Sequence, residues 1–164
     1  MKEEKIEDSL QDHTLDRVDR RILVTLQANG RISNQELAST VHLSPAQCNR
    51  RHRRLERLGF VKRYEARLDA DRLGLGVTAF VHITMERGQF KEVLKFQRTI
   101  ERMPEILECH AVTGDFDYVC KVVASDLKSL SNFLLGTLAQ LPGVNGVRSS
   151  ICLNELKCTS ALPL

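Results

Sequence analysis

The residues with the clearest chemical potential are basic, and they are concentrated in one short stretch. Residues 50–67 contain eight Lys or Arg and two Glu, which gives a net charge of +6, whereas the whole 164-residue chain carries +3. Positive charge concentrated in this way predicts a polyanionic partner, either nucleic acid or an anionic surface. A solvated helix face is the alternative, but such a face usually mixes both signs of charge.

A helical wheel over residues 45–58 separates a face fit for burial from a basic face. Ser44 and Pro45 fit the N-cap and the first position of this helix. The apolar side holds Cys48, His52 and Leu55, whereas the opposite side and its flanks hold Ala46, Gln47, Arg50, Arg53, Arg54 and Arg57. Arginines in such a row can neutralise phosphates, and one Arg can pair with a guanine edge.

Two shorter elements must position this basic helix. An apolar stripe at spacings of three and four, capped by Asp16, predicts a helix that ends near Ala28. Ser33 and Glu36 form the capping-box pattern of a second helix. A tight turn at His42-Leu43 then leads into the basic helix, and a strand is expected over residues 60–68. This arrangement predicts a winged-type helix-turn-helix.

We therefore expect the basic helix to enter the major groove of double-stranded DNA. Gln47, Asn49 and Arg50 lie on its N-terminal half, which reaches base edges in this docking mode. The remaining arginines would bind phosphates, and helix N-termini would add amide donors. The predicted DNA contacts are Ser33, Asn34, Ser44, Ala46, Gln47, Asn49, Arg50, Arg53, Arg54 and Arg57.

The second half of the chain changes to the period of β-strands. Residues 77–85 alternate in polarity, and later strands are expected over 106–112, 116–124 and 144–153. Helices are expected over 88–103 and, capped by Ser125, to Gln140. This order predicts a ferredoxin-like βαββαβ domain, so the whole chain is of the α+β class. Because helices cover one face of the sheet, we expect a second copy to cover the other as a homodimer.

These patterns divide the chain into four parts. Residues 1–13 are polar and are expected to form a flexible arm, and residues 14–68 the helix-turn-helix domain. Residues 69–76 contain two Gly and predict a hinge, and residues 77–164 the ferredoxin-like domain. Neither a signal peptide nor a membrane span is evident, so we expect a cytoplasmic, nucleoid-associated protein with no membrane partner.

The sequence contains no recognisable catalytic or cofactor motif. It has no Gly-rich phosphate loop and no His or Cys cluster with metal-ligand spacing, so we expect no enzyme, no cofactor and no metal. The five cysteines form no Cys-x-x-Cys pair. We interpret them mainly as small hydrophobic residues of the core, with a metal site or a disulfide as the alternative.

Several segments together resemble the Lrp/AsnC family of transcription regulators, and most of all its leucine-responsive branch. They are Leu15–Leu23, Asn29–Ser33, Leu43–Pro45 through Arg54–Glu56, Gly59–Val61 and Gly114–Tyr118. The resemblance runs from about residue 14 to the C-terminus. It implies an N-terminal helix-turn-helix, a C-terminal effector-binding domain, and dimers that assemble into larger rings, often octamers.

The family binds small effectors, usually amino acids such as leucine or methionine, near the Gly-Asp turn. Carried over to this chain, the resemblance implies effector contacts at Thr113, Gly114, Asp115, Asp117, Ser149 and Ser150. Backbone amides near Gly114 could hold a carboxylate, while Asp115 or Asp117 could pair with an ammonium group. A plain hairpin turn is the alternative, because Gly and Asp are common in turns.

The chain departs from the family pattern at the turn and in the basic helix. His42 stands where relatives usually have Gly, and a left-handed backbone there would cost about 1 kcal/mol relative to Gly. Asn49 and His52 replace residues that are often aliphatic; we expect His52 to pack at the edge of the core. A DNA-coating protein that ignores ligands remains an alternative, because it needs the same helix and the same assembly.

Overall fold

The computed structural model describes residues 14–86, 88 and 90–164. The chain forms two compact units. One, called the helical unit below, comprises residues 14–67 with residues 157–164; the other, called the sheet unit, comprises residues 68–156. The predicted arm at 1–13 lies outside the described residues. None of the helices in the described ranges is long and apolar enough to cross a membrane.

The helical unit contains three helices: α1 (Arg17–Ala28), α2 (Asn34–Val41) and α3 (Pro45–Arg57). Each begins at the predicted cap, since Asp16, Ser33 and Ser44 accept hydrogen bonds from amides in the first turn. The caps matter because the first amides of a helix have no partner within it. Ile22, Leu37 and other side chains from all three helices form a shared core.

The turn between α2 and α3 has the left-handed backbone that its position predicts. His42 has φ 57° and ψ 49°, and its amide donates to the carbonyls of Ala38 and Ser39. The amide of Leu43 donates to Ala38 as well. These bonds satisfy carbonyls at the end of α2, so His42 fills the place that Gly often takes.

The strand predicted over residues 60–68 does not form, so this prediction is wrong. The segment is irregular, and no strand of the described helical unit lies beside it as a partner. In an isolated strand the amides have no inter-strand partner and bond to water, so residues with high strand propensity do not by themselves stabilise it. Residues 157–164 also differ from the predicted division: Leu162 exchanges two hydrogen bonds, of 3.1 Å and 2.6 Å, with the Gln27 side chain in the helical unit.

The sheet unit has the predicted βαββαβ order. Its elements are β1 (Val77–Met85), α4 (Phe90–Ile100), β2 (Ile106–Ala111), β3 (Tyr118–Ala124), α5 (Leu127–Gly136) and β4 (Val144–Ile151). The strands lie in the order β2-β3-β1-β4, and every neighbouring pair is antiparallel. This is the ferredoxin-like topology that the sequence predicts.

One face of the sheet is covered and the other is not covered by helices of this unit. Val81 and Ile83 of β1 are fully buried with Phe96 of α4 and Leu134 of α5. Phe80, the residue before Val81, points to the other face and is 44% exposed. The open face expected from the sequence is therefore present.

Several predicted boundaries in this unit are wrong. The strands expected over 106–112, 116–124 and 144–153 span Ile106–Ala111, Tyr118–Ala124 and Val144–Ile151, because the predicted ends reach into the adjoining turn and the C-terminal segment, beyond the paired residues. Both helices also differ from their predicted bounds. Asp126, not Ser125, caps α5 by accepting a 2.7 Å hydrogen bond from the amide of Ser129. The helix ends at Gly136 rather than Gln140, because Thr137 leaves helical geometry before a short 3₁₀ turn. Helix α4 ends at Ile100 and not at residue 103, because the chain tightens into a turn before Pro104. It begins at Phe90, and its predicted start at residue 88 lies between residues 87 and 89, which are outside the described residues.

Candidate nucleic-acid interface and effector pocket

The outer face of α3 presents the polar and basic side chains predicted for it. Ala46, Gln47, Arg50, Arg53 and Arg57 are exposed, and Asn49 is half-buried. Within the part of the chain that the structure describes, no ion pair involves Arg50, Arg53 or Arg57. Their guanidinium groups are therefore available to an anionic partner.

Two other arginines of α3 turn inward to a buried carboxylate. Asp19 of α1 is 1% exposed and accepts from Arg51 at 2.8 Å and from Arg54 at 3.2 Å. Arg51 also binds the Asp16 carboxylate at 2.6 Å. The wheel had placed Arg54 beside the phosphate-binding face, but in the structure its guanidinium is bound to Asp19. We call these four residues the Asp19 network.

The network joins the start of α1 to the middle of α3. The Asp19 amide donates to the Asp16 carboxylate, and this hydrogen bond, together with Arg51, lowers the pKa of Asp16. Hydrogen bonds from Arg51 to Asp19 and Asp16 raise the pKa of Arg51. A buried carboxylate requires such partners, so the two helices are fixed in one relative orientation.

The side chains of three predicted DNA contacts also hold helix ends. Ser33 shares a capping box with Glu36, whose pKa these hydrogen bonds lower. The Asn34 amide group donates to the carbonyl of Pro45 at 3.0 Å, which ties α2 to the start of α3. Ser44 caps α3 by accepting from the Gln47 amide at 3.3 Å.

The segment after α3 is fastened to that helix by one tyrosine. The Tyr64 hydroxyl lies 2.6 Å from His52 Nε2 and donates to Glu56 Oε1 at 3.0 Å. Burial and the hydrogen bond to Glu56 raise the pKa of Tyr64 to about 12. His52 therefore lies half-buried at the edge of the unit, as its position on the wheel predicts.

The sheet unit contains a cavity of about 460 Å³ beside the predicted Gly-Asp turn. Its volume falls within the range of small-molecule sites, roughly 300–1,000 Å³. The cavity is lined by the turn, by β1 and by the middle of β4. The lining residues are His82, Thr84, Asp115, Phe116, Gly146, Val147 and Arg148.

The cavity combines aromatic, cationic and anionic groups. The rings of His82 and Phe116 pack with centroids 4.7 Å apart, and the Arg148 guanidinium lies 5.8 Å from the Phe116 centroid. This cation–π contact orients Arg148 over the ring. Asp115 supplies a carboxylate on the turn side. Such a site offers complementary charges to a small zwitterion.

The structure separates the predicted effector residues. Asp115 lines the cavity, whereas the Asp117 carboxylate accepts a 2.7 Å hydrogen bond from the amide of Met85 and so holds the turn against β1. Gly114 has φ 116°, which only Gly adopts readily, and Thr113 is exposed beside it. Ser149 and Ser150 lie farther along β4 than the wall at residues 146–148.

Sequence reasoning missed the residues that complete both sites. Asp19 could have been found, because Asp16 and Asp19 have capping-box spacing at the start of α1. Gly146 carried a signal too, as a lone Gly in a strand marks a close approach. A Cβ there would lie 2.8 Å from Thr84 Oγ1. His82 and Arg148 gave no such signal, because only the β1–β4 register places them directly opposite each other.

Comparison with known proteins covers both units. A family model described as the Lrp/AsnC ligand binding domain matches residues 78–162, and a winged helix-turn-helix DNA-binding model matches residues 15–62. The leucine-responsive regulatory proteins of Escherichia coli K12 and Salmonella typhimurium are each 44% identical over 148 residues, which is 90% of this chain and 90% of theirs.

Solved structures agree with these matches. A transcriptional regulator from Neisseria meningitidis, in complex with L-methionine, superposes with a TM-score of 0.89 at 39% identity, covering 92% of this chain and 97% of that one. A feast or famine regulatory protein from M. tuberculosis, complexed with L-methionine, gives 0.83 at 31% identity and covers 91% and 99%.

Proposed function

This chain belongs to the Lrp/AsnC family of transcription regulators, and we propose a separate role for each of its two units. The helical unit binds duplex DNA through the outer face of α3, and the sheet unit binds an amino acid in the cavity beside residues 113–116. The observation that carries the first part is the division of the α3 arginines into an exposed set and the Asp19 network.

On DNA, the side chains on the outer face of α3 perform two tasks. Gln47, Asn49 and Arg50 lie near the N-terminus of the helix and read base edges, because Gln or Asn pairs with adenine and Arg with guanine. Arg53 and Arg57 neutralise phosphates. Arg51 and Arg54 hold α3 in place through Asp19. The DNA backbone is contacted by the amides at the helix N-termini and not by the side chains of Ser33, Asn34 and Ser44.

Selection of binding sites from a random duplex library tests this assignment. Replacing Gln47 by Ala should change the preferred base at one position of each half-site, because a base contact is lost. Replacing Arg57 by Ala should lower affinity without changing the selected sequence. If both variants select the wild-type sequence, the N-terminal half of α3 does not read bases.

The effector is an amino acid held by its own charges. Arg148 fits the carboxylate, Asp115 fits the ammonium group, and Phe116 with Val147 packs against an aliphatic side chain. Two structural neighbours bind L-methionine, which supports this class of ligand. Asp117 supports the turn instead of pairing with the ligand, because its carboxylate is bound to the Met85 amide.

Calorimetry with L-methionine and L-leucine tests the pocket. Asp115→Asn and Arg148→Gln should each weaken binding at least tenfold, which corresponds to about 1.4 kcal/mol. Ser150→Ala is the matched control, because Ser150 lies on the same strand as Arg148 but outside the cavity wall, and its binding should be unchanged. If neither amino acid binds to the wild type, the proposal is contradicted and a ligand-independent DNA-coating protein is favoured.

The protein acts as a homodimer that assembles further into octamers, without catalytic activity, at the nucleoid in the cytoplasm. The open face of the sheet, on which Phe80 of β1 is 44% exposed, supports pairing of two copies. Two copies also suit a helix-turn-helix, because they present two recognition helices to successive major grooves. Native mass spectrometry with and without L-methionine measures the assembly; a monomer under both conditions contradicts it.

A further inference from the structure

We propose that Cys109 and Cys120 are an oxidation site, at which hydrogen peroxide converts the two thiols into a reversible cross-strand disulfide. Both are free cysteines in the structure. They lie directly opposite each other on the antiparallel strands β2 and β3. Facing residues of two such strands point to the same side of the sheet, so their side chains are neighbours.

The backbone hydrogen bonds between β2 and β3 identify which kind of facing pair this is. The amide of Val112 donates to the carbonyl of Asp117, and the amide of Val123 donates to Glu105. Odd-numbered residues of β3 therefore bond to β2, and even-numbered residues such as Cys120 bond to β1. Cys109 and Cys120 consequently form a non-hydrogen-bonded pair.

That geometry is compatible with a disulfide. In a non-hydrogen-bonded antiparallel pair the Cα atoms are about 4.5 Å apart, and their side chains are closer than in the other pair type. Disulfides span Cα separations of roughly 4.4–6.8 Å, so the bond needs little backbone movement. Its place at the short end of this range favours a strained and readily reduced bond.

The two thiols differ in access and reactivity. Strand β2 is at the edge of the sheet and Cys109 is half-buried, whereas Cys120 is fully buried in the core. A hydrogen bond from the Cys120 thiol lowers the pKa of Cys109 to about 7, with a smaller contribution from His110. Donating that bond raises the pKa of Cys120, and burial raises it further. Cys109 is therefore the attacking thiolate and Cys120 the resolving thiol.

The reaction proceeds in two balanced steps. The Cys109 sulfur attacks one oxygen of hydrogen peroxide, the O–O bond breaks, and the leaving hydroxide takes a proton to become water. Cys109 is then a sulfenic acid. The Cys120 sulfur attacks the Cys109 sulfur, the S–O bond breaks, and a second water leaves with the Cys120 proton. Two thiols lose two electrons, and the peroxide gains them; a dithiol reductant reverses the change.

Peptide mapping of the full-length protein tests this site. Trypsin leaves both cysteines on one peptide, residues 103–121, because no Lys or Arg lies between them. After peroxide treatment and blocking of free thiols with N-ethylmaleimide, this peptide should lack both labels and be about 2 Da lighter than the reduced form. Further cleavage at Asp115 or Asp117 should leave its halves joined until dithiothreitol separates them.

Two variants distinguish the attacking thiol from the resolving one. With Cys120→Ala, oxidation should stop at a Cys109 sulfenic acid that dimedone captures. With Cys109→Ala, Cys120 should remain a free thiol. The exposed Cys158 is removed as Cys158→Ser in all samples, so that it cannot cross-link two chains.

The peptide map of the protein that keeps both Cys109 and Cys120 decides the matter even if a core variant fails to fold. A fully labelled 103–121 peptide after peroxide treatment overturns the proposal. So does a Cys109 that oxidises to sulfinic acid while Cys120 keeps its label, because resolution by Cys120 would then be absent.

Discussion

The two units hold their functional side chains by different physical means. In the helical unit, a charged carboxylate is buried: Asp19 is the only buried charged side chain among the described residues, and it fixes two arginines. In the sheet unit, the buried side chains are apolar, thiol or tyrosine, and the turn is positioned through the backbone, as at Gly114 and the Met85 amide.

The difference follows from the architecture of each unit. A small bundle of three helices has few layers with which to fix the angle of α3, and an ion pair is directional where apolar packing is not. A sheet already fixes register through its hydrogen-bond ladder. Changes of charge should therefore affect folding in the helical unit, whereas changes of backbone should affect it in the sheet unit.

Replacing Asp19 by Asn should give the largest effect. It removes the buried negative charge that binds Arg51 and Arg54. Breaking such a buried pair costs about 3–5 kcal/mol, less here because Arg51 keeps the Asp16 carboxylate and both arginines reach water. We expect a loss of about 2–4 kcal/mol, measured by native-state hydrogen exchange in residues 17–57. Asp126→Asn, an exposed cap in the sheet unit, is the control and should leave those residues unchanged. An unchanged exchange rate in Asp19→Asn would show that apolar packing alone fixes α3.

In the sheet unit, Gly143→Ala should destabilise the fold by a change at the backbone. Gly143 has φ 81°, and an added Cβ would lie 2.9 Å from Glu92 Cβ and 3.2 Å from Met85 Cε. We expect a loss of about 1–3 kcal/mol, seen as faster exchange in β1 and β4. Gly59→Ala is the matched control, because it has φ 77° but nothing within 4 Å of the new atom, and its loss should be smaller. Equal losses would mean that backbone strain, and not packing, dominates.

Arg53→Ala and Arg54→Ala should separate DNA binding from folding within one helix. Arg53 is exposed, so its removal should reduce the slope of log affinity against log salt by about 1 without changing stability. Removing Arg54 should destabilise the helical unit by about 1–3 kcal/mol with the slope unchanged. Fluorescence anisotropy on one duplex at several salt concentrations measures the slope. A reduced slope in Arg54→Ala would place that residue on phosphate after all.

His42→Gly should give the smallest effect and a favourable one. Gly relieves the left-handed backbone but has more freedom in the unfolded chain, so we expect a gain of about 0.5–1 kcal/mol. Urea unfolding measures the change in the free energy of unfolding, and His42→Ala should be less stable than the wild type. A loss on changing His42 to Gly would mean that the imidazole makes a stabilising contact.

Local signals along the chain predicted most elements and their caps correctly. The strand β1 has the predicted bounds, and Asp16, Ser33 and Ser44 cap the helices for which they were predicted. The prediction of a strand at residues 60–68 was wrong because residues with high strand propensity also need a neighbouring strand to pair with, and the local sequence does not show whether one is present. The helical wheel likewise placed Arg54 outward, because a wheel uses only the positions within one helix and Asp19 lies 35 residues away in another helix.

Periodicity, caps and charge thus determined by themselves that this chain has a basic helix-turn-helix followed by a ferredoxin-like domain, since these depend on neighbours in sequence. Tertiary structure alone decided which arginines are free, which aspartate faces the cavity, and which two thiols meet. Those outcomes depend on the register of strands and on the crossing of helices, which bring distant residues within a few ångströms of each other.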